Sequence, residues 1–201
     1  MTIQDSAHGL LVVISGPSGV GKTSIVHRVL NAFDGTFSVS ATTRPKTDQD
    51  TEGIDYLFLD EPTFQKWIDD GRFIEYAQVF GRSWYGTPRE PVESDLKEGK
   101  LVVLDIDVQG AIQVRKVVPS SFGIFILPPS EEDLLERLRH RGREDEETIE
   151  RRFSEARHEM QIAHTCTAYD EFVVNDDLEL AAEKVIDLIR QRRAVESGNP
   201  S

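Results

Sequence analysis

Four short apolar runs alternate with longer amphipathic segments along the chain. The runs are rich in β-branched residues and cover Leu10 to Ser15, Leu101 to Ile106, Gly123 to Leu127 and Phe172 to Val174. Continuous apolar runs of this length are typical of strands buried on both faces. Helical patterns between several of them predict βαβ units. The sequence therefore predicts an α/β fold with a central parallel sheet.

The remaining segments are mostly helical in pattern. Ser130 precedes three acidic residues, which is typical of an N-cap followed by an acidic first turn. Further helical patterns cover about 144–164 and about 177–193, and the small polar residues 194–201 are expected to fray. Residues 37–85 differ, because they combine Thr, Gly and aromatic side chains in short strand-like runs. This segment predicts a small mixed or antiparallel insert.

Length and composition limit the class of protein. The chain has 201 residues, which suffices for one substantial domain and not for two full-sized ones. No apolar run approaches the ~20 residues needed to cross a bilayer, and the N-terminus lacks a signal-peptide pattern. The single cysteine, Cys166, cannot form an intrachain disulfide. These features predict a cytoplasmic protein that does not contact membranes.

The charge balance is strongly acidic. Lys and Arg total 23 against 36 Asp and Glu, which gives a net charge of −13. A field of this sign repels polyanions, so the composition argues against nucleic acid as a partner. Any anion that the protein binds must be held by a local group of positive side chains.

Residues 16–23 read GPSGVGKT and match the phosphate-binding pattern G-x-x-x-x-G-K-[ST] directly after the first apolar run. The glycines allow a tight loop whose backbone N–H groups converge on phosphate oxygens, and the following helix directs its positive end to the same point. Lys22 supplies a charge for the β- and γ-phosphates, and Thr23 offers a hydroxyl to Mg²⁺. The predicted triphosphate-binding residues are Gly16, Pro17, Ser18, Gly19, Val20, Gly21, Lys22, Thr23 and Ser24.

Residues 128–158 contain two helical patterns with arginines gathered at the turn between them. Arg137 and Arg141 are four residues apart and share a helix face, and Arg152 lies on the following helix. A basic arm beside a phosphate-binding loop predicts a lid whose arginines neutralise charge during phosphoryl transfer. A surface role stays open for three other arginines, because each could pair with the acidic residues 144–147. They are Arg139, Arg143 and Arg151.

Several further blocks follow the phosphate-binding loop in order. They are SVSATTRP, GIDYLF, FIEYAQVFG, WYGTP, LDIDVQG, the arginine arm and VVND. This ordered set resembles the guanylate kinases over roughly residues 9–193. The resemblance implies transfer of the γ-phosphoryl group of ATP to GMP, or to dGMP, giving ADP and the nucleoside diphosphate with Mg²⁺ as cofactor.

The resemblance also implies the layout of the chain. It predicts a P-loop NTPase-type parallel sheet core flanked by helices, a small mixed α/β insert that binds GMP, and a helical lid. The core covers about 9–37, 96–126 and 159–193, the insert about 38–95, and the lid about 127–158. The sequence leaves the oligomeric state open between monomer and homo-oligomer.

Guanine is read by groups that only accept hydrogen bonds, because it displays N1–H and an exocyclic NH₂ as adjacent donors. The resemblance assigns this role to Glu75 and Asp107, and it places Asp105 closer to the phosphates and the metal. Both aspartates follow an apolar strand at its carboxyl end, where ligands bind in open α/β sheets. Two alternatives stay open: Glu75 as a solvated charge on an edge strand, and either aspartate as the N-cap of a helix after Gly110.

Four side chains match by resemblance the groups that bind the phosphate of GMP, and they are Ser40, Arg44, Tyr56 and Tyr85. The chain departs from the family pattern three residues after Arg44, where Thr47 stands in place of a second arginine. Lys46 is one position earlier, but a lysine is a point charge and does not replace a bidentate guanidinium. The phosphate site is therefore expected to be weaker, or to be completed by Lys46 through a shifted loop.

Two polar residues have two interpretations each. Thr87 matches a guanine-contacting hydroxyl of the family, but it also begins Thr87 to Glu90, which has the spacing of a capping box. Asn175 resembles the position that contacts the adenine of ATP, and the alternative is a cap or turn residue after the last strand.

Two other functions are considered beside GMP phosphorylation. The first is a kinase for another nucleoside monophosphate, against which the paired carboxylates argue. The second is a guanylate-kinase-like protein-interaction domain that has lost catalysis. Such domains typically have degraded P-loops, whereas Lys22, Thr23 and the arginines of the arm are all present here.

Overall fold

The computed structural model of the protein describes residues 9–79, 82–140 and 145–196. No helix in these ranges combines the length and the apolar character that crossing a bilayer requires. In chain order the strands and helices are β1 (Leu10–Ser15), α1 (Lys22–Phe33), β2 (Thr36–Phe37), β3 (Ala41–Thr42), β4 (Leu57–Phe58), α2 (Glu61–Asp69), β5 (Phe73–Val79), β6 (Ser83–Pro88), α3 (Arg89–Lys97), β7 (Leu101–Asp105), α4 (Val108–Val117), β8 (Phe122–Leu127), α5 (Glu131–His140), α6 (Glu146–Thr165), β9 (Glu171–Val174) and α7 (Leu178–Glu196).

A parallel sheet in the order β2-β7-β1-β8-β9 forms the core. Leu10 lies opposite Leu101 on β7, and Val12 lies opposite Phe122 on β8. All six residues of β1 are buried, as its continuous apolar run predicts. The four predicted core strands agree with the observed ones to within one residue at each end, and the predicted α/β fold class is confirmed.

Alternate residues of β1 pack on opposite faces of the sheet, because successive strand side chains point in opposite directions. Leu10, Val12 and Ile14 pack with α1 and α7 on one face. Leu11 and Val13 pack with α3, α4 and the C-terminal part of α6 on the other face. The sheet is therefore covered on both sides, and Ser15 and Asp105 end β1 and β7 at its carboxyl edge.

The insert forms a second sheet in the order β4-β3-β6-β5, in which β3 and β4 are parallel and the other pairs are antiparallel. Phe64 of α2 stacks on Phe73 of β5 with ring centroids 4.5 Å apart. The Gln113 side chain of α4 donates to the Tyr76 carbonyl at 2.9 Å and accepts from its N–H at 3.3 Å. The mixed sheet of the insert is as predicted, and this amide connects it to the core.

The first strand-like residues of the predicted insert segment 37–85 are divided between the two sheets. Thr36 and Phe37 pair with β7 of the core, whereas Ala41 and Thr42 pair with β4 and β6 of the insert. Strands of two residues are too short to show a period in the sequence, so the division depends on pairing with distant strands.

Three helix boundaries differ from the predictions. The predicted capping box at Thr87 is wrong: α3 begins after Pro88 with no side-chain cap, because Thr87 is held extended in β6. The helix predicted after Gly110 begins earlier, at Val108. The last helix, α7, continues to Glu196, so the first residues of the predicted frayed tail are helical.

Leu104 provides a test of the core packing. Its side chain is 1% exposed in the cluster beneath α3 and α4. We expect Leu104→Ala to lower the free energy of unfolding by about 2–5 kcal/mol, because the lost transfer energy and the new cavity both act. Leu180→Ala is the matched control, because Leu180 is 67% exposed. Urea unfolding measures both variants, and equal losses would contradict the assigned core.

Candidate active site

The phosphate-binding loop connects β1 to α1 and is supported from the end of β9. Gly21 has φ of 92°, and a Cβ there would lie 2.6 Å from Nδ2 of Asn175. That amide donates to the Val20 carbonyl at 2.7 Å, and Asn175 is 4% exposed. Gly21 is therefore required both for its backbone conformation and for the close approach of Asn175. Contact between Asn175 and an adenine ring stays a prediction.

Lys22 lies at the junction of the loop and the sheet. Its ammonium group donates to the Gly16 carbonyl at 3.1 Å and forms an ion pair with Oδ1 of Asp105 at 3.1 Å. The pair exists because β1 and β7 are parallel neighbours with Ile14 opposite Asp105. Lys22 is thus held beside the backbone N–H groups of the loop, where phosphate oxygens would bind.

A cavity of about 300 Å³ surrounds this loop. Thr23 lies in it beside Asp105 and Asp107, so hard oxygen donors face the same space as the loop. Such donors suit Mg²⁺ that arrives with nucleotide phosphates, which supply its other ligands. The cavity is lined by Gly16, Pro17, Ser18, Gly19, Gly21, Lys22, Thr23, Ser24, Asp105, Asp107 and Glu159.

A second cavity of about 410 Å³ lies between the insert, the carboxyl edge of the core sheet and α6. Asp105, Asp107 and Glu159 line both cavities, so the two spaces adjoin at these carboxylates. Six residues predicted for the acceptor site line the second cavity: Ser40, Tyr56, Glu75, Tyr85, Asp105 and Asp107.

Glu75 is almost fully buried at 5% exposure, although it faces the second cavity. Burial raises the pKa of its carboxyl to about 7, the negative charge of Asp107 acts in the same direction, and the hydrogen bond from Thr87 opposes both. The Thr87 hydroxyl donates to Oε1 at 2.7 Å. The alternative interpretation of Glu75 as a solvated surface charge is therefore wrong.

Gly110 on α4 makes room for this carboxylate. A Cβ at Gly110 would lie 2.8 Å from Oε2 of Glu75. Gly110 is not among the residues predicted for the site, because a glycine early in a helix gives no local sign of a distant side chain. Its role depends on β5 of the insert lying against α4.

Asp107 is a helix cap that also lies at both cavities, while its contact with guanine stays a prediction. Its Oδ1 accepts from the Gly110 N–H at 2.8 Å and so caps α4, while the residue also lines both cavities. The cap fixes the carboxylate at the first turn of α4, where the positive helix end favours a negative charge. Asp105 is no cap and instead pairs with Lys22.

The residues predicted to bind the acceptor phosphate lie beside this cavity. The rings of Tyr56 and Tyr85 are 5.7 Å apart and meet edge to face. Arg44 lies next to Tyr56, with its guanidinium carbon 5.2 Å from the ring centroid. Lys46 has its ammonium nitrogen 6.0 Å from the Phe58 ring. Arg44 pairs with Asp50 and is not among the residues that line the cavity.

Two of the three predicted lid arginines contact residues at the phosphate-binding end. Nη2 of Arg137 donates to the Asn175 carbonyl at 3.0 Å, and Arg152 of α6 hydrogen-bonds the Ser18 hydroxyl of the loop. Arg139 pairs with Glu146, as the surface interpretation predicts. Arg141, the third predicted lid arginine, and Arg143 lie outside the described residues.

Helix α6 contributes residues that sequence analysis missed. Glu159 lines both cavities, and burial raises the pKa of its carboxyl to about 7, with Lys22 opposing the rise. It lies seven residues after Arg152 and therefore shares its helix face, which is the sequence signal that could have indicated it. Glu155 and His158 of α6 also line the second cavity and were missed, as was Gln109 of α4.

The phosphate-binding loop adjoins a cavity lined by carboxylates and phenol hydroxyls, and an arginine of the helical arm contacts the loop. This combination defines a P-loop nucleotide kinase. The sequence model of the guanylate kinase family matches residues 8–192. A guanylate kinase of Thermotoga maritima is 46% identical over 187 residues, which cover 92% of this chain and 88% of the relative. The chain therefore belongs to the guanylate kinase family.

Other relatives agree with this assignment. A guanylate kinase of Synechocystis is 44% identical over 92% of this chain and 96% of the relative. The crystal structure of guanylate kinase from Anaplasma phagocytophilum superposes with a TM-score of 0.73 at 33% identity, covering 91% of this chain and 85% of that one. The expected function, ATP-dependent phosphorylation of GMP, is supported by this membership.

Gly110 gives a test of the acceptor cavity. Replacing a glycine by alanine within a helix ordinarily stabilises the helix by up to ~1 kcal/mol. At Gly110, however, the added methyl group would displace the Glu75 carboxylate. We expect Gly110→Ala to raise KM for GMP roughly tenfold or more, since small displacements of positioning groups are costly. Gly35→Ala is the control for added bulk away from the cavity, because a Cβ at Gly35 would meet the Leu101 side chain at 3.3 Å. Equal KM values for the two variants would contradict the role of Gly110.

Proposed function

We propose that this chain transfers the γ-phosphoryl group of ATP to GMP, giving ADP and GDP. The observation that carries the proposal is the buried carboxylate of Glu75 in a cavity that adjoins the phosphate-binding loop through Asp105, Asp107 and Glu159. An acceptor nucleotide in this cavity would have its base near Glu75 and Asp107 and its phosphate near the tyrosines. Its phosphate would then face the donor phosphates.

Glu75 and Asp107 provide the chemistry that selects guanine. The N1–H and N2–H groups of GMP are adjacent donors, and each carboxylate can accept one of them. Adenine has a lone pair at N1 and no amino group at C2, so it would repel one carboxylate and leave it unpaired. A buried acceptor without a partner is costly, and this cost excludes the wrong base.

The remaining residues position and stabilise the phosphates, since phosphoryl transfer depends mainly on alignment and charge neutralisation. Lys22 and the loop N–H groups hold the donor phosphates, while Ser40, Arg44, Tyr56 and Tyr85 hold the acceptor phosphate. Arg137, Arg141 and Arg152 neutralise charge as the arm closes. Mg²⁺ held by the phosphates and by Thr23 would supply further positive charge when bound. The acceptor oxygen attacks in line, and no covalent intermediate with the protein forms.

The proposal includes several finer assignments. The core, insert and lid divide the chain at about the boundaries that the resemblance implies, and Asn175 contacts the adenine of ATP. The acceptor can be GMP or dGMP, because neither Glu75 nor Asp107 is assigned to the ribose. The reaction takes place in the cytoplasm, where the single cysteine stays reduced, and it involves no nucleic acid partner.

Base choice tests the proposal directly. Wild-type kcat/KM should be highest with GMP and lower with AMP by several orders of magnitude, ~10⁴-fold in favourable cases. Glu75→Gln converts an acceptor into a group that also donates, so it should reduce efficiency with GMP sharply and narrow the gap to AMP without reversing it. The measurement is ADP release with GMP, AMP, CMP and UMP at saturating MgATP. A wild-type kcat/KM for AMP within tenfold of that for GMP would exclude GMP as the selected acceptor.

The raised pKa of Glu75 predicts a pH dependence of acceptor binding. Guanine donors bind the ionised carboxylate, so below about pH 7 binding must also remove a proton. Affinity for GMP should therefore fall by about tenfold between pH 8 and pH 6, because Glu75 is mostly ionised one unit above its pKa and mostly protonated one unit below it. The GMP phosphate also titrates near pH 6. Calorimetry should therefore measure GMP affinity against pH for both wild type and Glu75→Gln, and the difference between the two profiles is the part due to Glu75.

The same shift predicts a change in stability with pH. In the unfolded chain Glu75 ionises near its ordinary pKa of 4.5, whereas in the folded protein it stays protonated to about 7. The free energy of unfolding should therefore fall as pH rises through this window, and Glu75→Gln should remove that part of the slope. Glu159→Gln is the necessary comparison, because Glu159 has a similar pKa. If the free energy of unfolding has the same pH dependence in wild type and Glu75→Gln, the raised pKa of Glu75 is contradicted.

A further inference from the structure

Arg44 follows β3, and its guanidinium is bound end-on by a carboxylate of the same loop. Nη1 donates to Oδ2 of Asp50 at 3.0 Å, and Nη2 donates to Oδ1 at 2.9 Å. Nη1 also donates to the Pro45 carbonyl at 3.0 Å. The side chains are 28% and 14% exposed, so the pair is partly shielded from solvent. A bidentate pair of this kind fixes the plane of the guanidinium.

Asp50 is held in turn by Thr47, the residue that departs from the family pattern. The backbone N–H and the hydroxyl of Thr47 both donate to Oδ2 of Asp50 at 2.7 Å. The Asp50 N–H donates back to the Thr47 carbonyl at 3.1 Å. The hydrogen bonds from Arg44, and then those from Thr47, hold the pKa of the Asp50 carboxyl far below its usual range. The carboxylate therefore stays charged at any pH at which the protein would work.

The fork geometry of arginine decides what Arg44 can still bind. A guanidinium has five N–H groups in one plane, and Asp50 and Pro45 use three of them. The remaining two are Nε–H and the second N–H of Nη2, which lie on the same edge and form a side-on pair. Within residues 9–79, 82–140 and 145–196 neither of these has a hydrogen-bond partner. This side-on edge matches two oxygens of a phosphate.

Arg44 is also fixed from its other sides. Its backbone N–H donates to Thr42 Oγ1 at 3.0 Å, and that hydroxyl donates to the Trp84 carbonyl at 2.9 Å. Its guanidinium carbon lies 5.2 Å from the Tyr56 ring centroid and 5.4 Å from that of Phe58. Tyr56 lines the acceptor cavity, so the arginine is held directly beside the proposed phosphate position.

We infer that Asp50 is a positioning residue of the acceptor-phosphate site: it binds the end-on edge of Arg44 and so leaves the side-on edge for the phosphate of the acceptor nucleotide. This inference rests on the proposed function, since the phosphate in question is that of GMP. Thr47 then contributes to the site through Asp50 and not by touching the phosphate. The loop thus uses an acidic residue, held by a threonine, to preorganise a single arginine.

The opposite interpretation treats Asp50 as a competitor that the phosphate must displace. The two interpretations predict opposite signs for the same variant. If Asp50 positions Arg44, Asp50→Asn weakens GMP binding, because the amide places an NH₂ group against the guanidinium and the fork loses its orientation. If Asp50 competes, Asp50→Asn strengthens GMP binding, because it frees a positive charge.

The experiment measures KM for GMP, KM for ATP and kcat, together with the affinity for guanosine, which lacks the phosphate. We expect Asp50→Asn to raise KM for GMP about tenfold or more, which is the size of a lost charge-assisted hydrogen bond. The KM for ATP, kcat and guanosine affinity should change by less than about twofold, because no other group of the site is altered. Asp50→Glu should restore part of the GMP affinity, since it restores the charge.

Two further variants keep the test decisive. Asp70→Asn is the matched control, because Asp70 pairs with Lys66 at 2.8 Å on the exposed surface of the same insert. Thr47→Val retains the Arg44 ion pair and removes one hydroxyl donor, so it should raise KM for GMP about threefold even if Asp50→Asn fails to fold. An unchanged or lowered KM for GMP in Asp50→Asn, or an equal loss of guanosine affinity, overturns the inference. Failure of the wild type to bind GMP would instead overturn the proposed function.

Discussion

The parallel pairing of β1 with its neighbours β7 and β8 is the constraint on which the site depends. Parallel strands place their carboxyl ends at one edge of the sheet, and the crossover helices begin there. Lys22 at the start of α1 therefore meets Asp105 at the end of β7, with 3.1 Å between nitrogen and oxygen. Asp107 caps α4 at the same edge, and Asn175 reaches the loop from the end of β9. A change in strand order would separate these groups.

Within this frame, the charged groups that are proposed to bind the phosphates are already held by the protein. Lys22 is paired with Asp105, Arg44 with Asp50, and Arg137 donates to the Asn175 carbonyl. In a chain with a net charge of −13, attraction over long distances cannot bring a polyanion to the site. Binding must instead come from donors that are fixed in advance, so that little ordering is needed when the nucleotide arrives.

The carboxylate of Glu75 differs from these paired groups, because its burial disfavours the charged form. Its desolvation is relieved in part by the Thr87 hydroxyl and is increased by the nearby charge of Asp107. A ligand that supplies N–H donors relieves this cost, and a ligand without them does not. Under the proposed function, selectivity for the base would therefore follow from burial, and the packing of the insert sheet against α4 produces that burial.

The sequence alone determined the elements whose chemistry is local. They are the buried run before GPSGVGKT, the four core strands and the cap at Ser130. Each follows from neighbouring residues, and so they could be predicted. Only the tertiary structure decided the roles that join distant segments. Thr87 bonds Glu75 and caps no helix, Gly110 makes room for a carboxylate 35 positions earlier, and Glu159 reaches both cavities from α6. No local pattern contains these contacts, because each depends on how the insert and α6 pack on the core, and that packing is settled by burial over the whole molecule.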